Sequence, residues 1–131
     1  MNFEYQMLAV MGIFSLFAYV PSSVAKYQTF GKKWLASNRK PIEGKELVEW
    51  GARVQRAHEN LKDNIPGFII AVLALGQMNK FDDTSWWLCL VYVIARMAHF
   101  TFYGMGIVGG RALSYLIGLI CNVWLLFMVF V

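Results

Sequence analysis

Ten residues spread over three apolar stretches have the types and the spacing to do chemistry together. An α-helix advances about 100° per residue, so Arg53, Arg56, Asn60 and Asp63 fall on one narrow stripe, which Glu46 and Glu49 extend. His58 and Lys62 point elsewhere, and Glu59 lies at the stripe's margin. Further on, Tyr92, Arg96, His99 and Tyr103 follow the i, i+4, i+7, i+11 spacing of a common helix side, and Arg111 and Tyr115 stand at i, i+4 with Ser114 and Asn122 near their line. Guanidiniums, an amide and a carboxylate on converging faces suit a small zwitterion with more negative than positive charge. Arginine holds carboxylates bidentately, an acid such as Asp63 or Glu49 takes an ammonium, and Asn60 and the tyrosines bond peptide groups. Glutathione is one molecule of that description, and other anions answer to it as well. Its thiol needs help to ionise. A guanidinium beside the sulfur favours the thiolate, and Arg111, next to a Gly-rich turn, is placed for that role.

The elements that position these residues follow from composition. A chain of 131 residues makes one domain, spanning 1–131, and 58% of it is hydrophobic while only 15% is charged, well to the membrane side of a soluble average. The apolar residues form four blocks, about 5–25, 46–78, 84–103 and 110–131, each near the length needed to cross a bilayer. Lipid offers an open strand edge no hydrogen-bond partners and the barrel alternation is missing, so the expected fold is an all-α bundle of four transmembrane helices. The first block is expected to end near Pro21 and to be retained, because Glu4 and no Lys or Arg precede it. The second helix is expected to carry Glu43, Glu46 and Glu49 in its first turns, where the helix dipole favours acids. Its fully apolar run, Ile65 to Gln77, is too short to span alone, which draws the polar turns before it towards the membrane. Pro66-Gly67 inside that helix reads equally well as a kink that opens a cleft or as a pair that spanning helices simply tolerate.

Nine of the twelve basic residues lie between the first block and the core of the second: Lys26, Lys32, Lys33, Arg39, Lys40, Lys45, Arg53, Arg56 and Lys62. The positive-inside rule makes that side cytoplasmic and turns both termini away from it, in the inner membrane if the source is a bacterium. For most of these lysines solvation and anionic headgroups are account enough. A charge at the centre of a spanning helix costs about 2.5–3.5 kcal/mol, so Arg96 and His99 are expected to face a partner or a wet cavity. One purely structural role for Arg96 is an ion pair with Asp63 or a loop carboxylate. Cys89 and Cys121 sit inside apolar blocks with no ligand at metal spacing and read as reduced packing residues, with no metal site. Nothing in the charge pattern suggests nucleic acid.

The stretch from Arg53 to Asp63, Arg-Val-Gln-Arg-Ala-His-Glu-Asn-Leu-Lys-Asp, followed by Pro66-Gly-Phe68, resembles the second-helix signature of the MAPEG family, the membrane-associated proteins in eicosanoid and glutathione metabolism. Arg96-Met-Ala-His99 with Tyr103, then Arg111 and Tyr115, is similar to that family's third- and fourth-helix pattern, closest in spacing to its prostaglandin E synthase branch. The resemblance covers nearly the whole chain. It implies a homotrimer of four-helix subunits, glutathione as cosubstrate between neighbouring subunits, and a lipophilic substrate arriving from the bilayer. By position, Arg56, Asn60 and Asp63 would bind glutathione with Arg53 assisting, His99, Tyr103 and Tyr115 would line the site, Arg111 would stabilise the thiolate, and Arg96 looks structural as much as ligating. Three departures from the prostaglandin branch stand out: Glu59 in place of a glutathione-binding arginine, Asp63 for a longer Glu, and Ala112 for a serine. A carboxylate gained where an arginine is lost lowers affinity for a dicarboxylate or changes the thiol used.

The first function expected is therefore a glutathione transferase or peroxidase that detoxifies lipophilic electrophiles. A non-enzymatic membrane protein that binds an anionic lipid or a partner subunit through its polar cleft is the alternative. A transporter is the weakest reading, since four helices leave little room for alternating access and no inverted repeat is visible.

Overall fold

The computed structural model describes residues 2–131, and every regular element among them is helical. The order is α1 (Phe3–Phe17), α2 (Val20–Phe30), the single turn α3 (Lys32–Leu35), α4 (Glu49–Gln77), α5 (Asp83–Met105) and α6 (Val108–Phe130). Three runs are long and apolar enough to cross a membrane: Phe3–Phe30, Asp83–Met105 and Val108–Phe130. A ring of exposed large side chains, among them Phe17, Ile70, Trp87, Ile94, Leu116, Trp124 and Phe127, would be untenable in water and is what lipid covers. The chain is thus built as an integral membrane protein. The helix α4, at 29 residues, is long enough to span but carries the polar turns Arg53 to Asp63 in its first half.

Two boundaries depart from expectation. The first helix, α1, ends at Phe17, a turn before Pro21, and that proline is not its stop. It sits in the first turn of α2, where its missing N–H has no partner to lose, and the helical path continues to Phe30. Glu43 lies in a turn and Glu46 in the irregular connection before α4, which starts at Glu49, so only that glutamate occupies the first turn. Inside α4 the helix runs on through Pro66, and Gly67 lets α6 come close: a Cβ there would stand 2.7 Å from Asn122 Nδ2.

The core lies where α4 meets α1, α5 and α6, and it is made of Met11, Leu61, Phe68, Ala71, Val72, Leu75, Cys89, Val93 and Leu125. Phe68 and Tyr92 stack at 4.1 Å, an arrangement worth about 0.5–1.5 kcal/mol beyond burial. Small residues let the backbones approach, as membrane helices require. Gly51 packs on Ala25, and a Cβ on Gly51 would fall 2.5 Å from the alanine's. Both cysteines are buried and free.

What positions the site is the hairpin of α5 and α6. An Asp82–Ser85 capping box starts α5: Ser85 N–H donates to Asp82 Oδ1 at 2.8 Å, and Asp82 N–H donates to Ser85 Oγ at 2.9 Å. Gly106, at φ +76°, ends it in the left-handed conformation that glycine adopts without strain. Only Gly106 and Ile107 separate the two helices, so α6 turns straight back along α5 and carries Arg111 to the level of His99.

Candidate functional site

The C-terminal half of α5 supplies two buried polar groups. Arg96 is 1% exposed and His99 4% exposed, and among the described residues no carboxylate pairs with either. The guanidinium of Arg96 lies over the faces of Tyr92 and Tyr115, 5.5 and 5.2 Å from their centroids, and one N–H reaches Asn60 Oδ1 at 3.4 Å. Its Nε and Nη2 have no partner. Gly118 of α6 makes the room, since a Cβ there would meet Nε at 2.9 Å and Nη2 at 3.0 Å. The ion pair with Asp63 that would have made Arg96 purely structural does not form. Among the described residues the single ion pair is Arg53 with Glu49, at 3.0 Å.

His99 Nδ1 lies 3.0 Å from the carbonyl oxygen of Arg111, and Nε2 is buried without a partner. The rings of Tyr103 and Tyr115 flank the imidazole at 5.6 and 5.7 Å. The Arg111 guanidinium covers the Tyr103 face at 4.7 Å. Ser114 donates to the carbonyls of Gly110 and Arg111 at 2.7 and 3.2 Å, which fixes the first turn of α6 under the histidine.

The α4 stripe divides. Asn60 points into this cluster and accepts from Arg96 and from Asn64. Arg53 spans to the end of α5, where its Nε donates to the Gly104 carbonyl at 3.1 Å. Arg56 and Asp63 stay on the exposed margin of α4, with no side-chain hydrogen bond among the described residues, and Glu59 beside them accepts from Gln55 at 3.1 Å. Within one chain, then, Arg96, His99, Tyr103, Arg111, Tyr115 and Asn60 come together, while Arg56 and Asp63 do not join them. Two participants, Asn64 and Gly118, escape a reading by residue type alone, and Asn122, already on the Arg111 line, lies against Gly67. Asn64 continues the Asn60 face at i+4 and its carbonyl accepts from Tyr92 at 3.1 Å, Gly118 makes room by lacking a side chain, and Asn122 holds a buried, unpartnered Oδ1.

The cluster is rich in donors and empty of anions. Two guanidiniums, two phenols and an amide lie together with no acidic side chain in contact among the described residues, and a buried cation in that condition suits an anionic ligand. Beside it, between α5 and α6, an apolar groove of about 340 Å³ lined by Ile94, Ala98, Phe102, Leu113 and Ile117 ends at Gly110 and Ser114. No curated protein and no solved structure matches this chain. A model of the MAPEG family matches residues 7–131, essentially its whole length, and the chain therefore belongs to the MAPEG family.

Proposed function

We propose that the protein is a membrane-embedded, glutathione-dependent transferase or peroxidase acting on lipophilic electrophiles, with Arg111 stabilising the glutathione thiolate. Family membership supports a membrane role in glutathione or eicosanoid metabolism. The observation that carries the finer reading is the uncompensated charge of buried Arg96, whose Nε and Nη2 have no acceptor among the described residues. Arg53, Arg56, Asn60 and Asp63 would hold the carboxylates, ammonium and peptide groups of glutathione, and His99, Tyr103 and Tyr115 would line the sulfur end. Arg56 and Asp63 face outward, where a neighbouring subunit of a homotrimer of four-span subunits would close the site around the ligand. The apolar groove between α5 and α6, lined in part by Gly110 and Ser114, would take an electrophile dissolved in lipid.

Glutathione added to the purified, folded protein should produce the ultraviolet difference band of a thiolate, and a chlorodinitrobenzene-type electrophile should turn over. Absence of both, in protein shown to be folded, would sink the proposal. The exposed Arg56 and the basic residues before α4 favour a second reading, an anionic-lipid or subunit-binding membrane protein without catalysis. Copurified anionic lipid together with no protection from unfolding by millimolar glutathione would decide for it.

A further inference from the structure

We infer that His99 is a catalytic residue whose Nε2 takes the proton from the thiol, so that Arg111 stabilises a thiolate which the histidine generates. This rests on the glutathione reading above. Arg111 lowers the energy of the anion, but a guanidinium is always protonated and has no place for a proton. Ionisation therefore needs a separate acceptor.

The tautomer identifies it. A carbonyl oxygen only accepts, so the 3.0 Å contact between Nδ1 and the Arg111 carbonyl fixes the imidazole proton on Nδ1 and leaves Nε2 as a bare lone pair. That lone pair is buried and has no donor. The other polar groups around it cannot do its work. Arg96 and Arg111 only donate, and Asn60 Oδ1 already accepts from Arg96 and Asn64. Tyr103 and Tyr115 flank the imidazole with their rings, 5.6 and 5.7 Å from its centroid.

In the step itself the S–H bond breaks, its proton forms the Nε2–H bond, and the electron pair stays on sulfur. The imidazolium keeps its Nδ1–H on the Arg111 carbonyl, the thiolate lies beside the Arg111 guanidinium, and net charge does not change. The same residue thus offers its carbonyl to the base and its side chain to the anion.

His99→Gln separates the roles, because the longer amide still offers an acceptor near the position of Nε2 but takes no proton. Glutathione binding by equilibrium dialysis should stay within about threefold of wild type, while stopped-flow formation of the thiolate band slows about a hundredfold or more. Thiolate formation at the wild-type rate in a variant that binds normally overturns the inference and leaves the proposed function standing. Failure of the wild-type chain to bind glutathione overturns both. If H99Q does not fold or bind, the decision passes to nitrogen-15 NMR of the detergent-solubilised His58→Gln protein, in which His99 is the single histidine. A pyridine-type Nε2 with a protonated Nδ1 supports the assignment, and the reverse tautomer overturns it.

Discussion

The two halves of α5 treat their polar groups in opposite ways. At its start every buried group is answered. Glu4, buried at the beginning of α1, accepts from the Ser85 hydroxyl, Ser85 and Asp82 exchange the bonds of a capping box, and Lys80 donates to the Val129 carbonyl at the end of α6 at 3.3 Å. Three turns or more further along, Arg96 and His99 are as deeply buried and are left with three unpartnered nitrogen atoms between them. Depth of burial is alike at both ends, so the difference does not follow from depth. Acids do stand on the neighbouring helix, at Glu59 and Asp63, but at its exposed margin. The satisfied end holds helices together. The unsatisfied one is where the proposed anionic ligand would supply the missing carboxylate.

The contrast breaks most readily at Arg111. Arg111→Ala should lower glutathione-dependent turnover about 10²–10³-fold, as loss of a donor to a developing anion usually does, and remove the thiolate band. Turnover within tenfold of wild type would mean that the polar end of α5 is not where the anion forms. No equivalent loss should follow from any change at the Ser85 end.

Arg96 tests the same contrast through stability. Replacing a buried charge that has no acid partner by an apolar residue of similar volume is often neutral or stabilising by about 1–4 kcal/mol. We expect Arg96→Met to melt in detergent at or above the wild-type temperature while binding glutathione about tenfold more weakly. Ser85→Ala should do the reverse. It strands the Glu4 carboxylate and half of the capping box, at a cost of about 1–3 kcal/mol, with kcat/KM unchanged. If R96M were less stable than S85A, the arginine would be a structural post and the division between the two ends would collapse.

How far the sequence discloses this division can be read from particular residues. The helices were legible because apolar blocks of spanning length admit little else, and the i, i+4, i+7 spacing put Arg96, His99 and Tyr103 on one side without coordinates. The breaks were less so. Pro21 reads as a stop and is a start, since proline is compatible with a helix's first turn as well as with its end. Glu46 lies on the extrapolated stripe of α4 but outside the helix, because periodicity continues past an end that only backbone geometry sets. The stripe from Arg53 to Asp63 gives direction around an axis and not depth from it. For that reason Asn60, which turns inward, could not be told from Arg56 and Asp63, which stay out. Gly118 has no side chain to attract notice, yet its missing Cβ decides where the Arg96 guanidinium lies.

Glu59 offers the finest adjustment. It stands on the exposed face beside Arg56 and Asp63, held by Gln55 one turn earlier, and it adds a negative charge to a surface that would meet the carboxylates of glutathione. Glu59→Arg exchanges repulsion for attraction at a solvent-screened position, so the gain should be modest, about 1 kcal/mol or roughly fivefold in affinity, and it should shrink as salt is raised. Measured by equilibrium dialysis at low and high salt, a fivefold gain that disappears at high salt would place the ligand's charged end against the outer face of α4. No change at either salt would confine the ligand to the buried cluster of α5 and α6, and would leave Arg56 and Asp63 to lipid or to a neighbouring subunit.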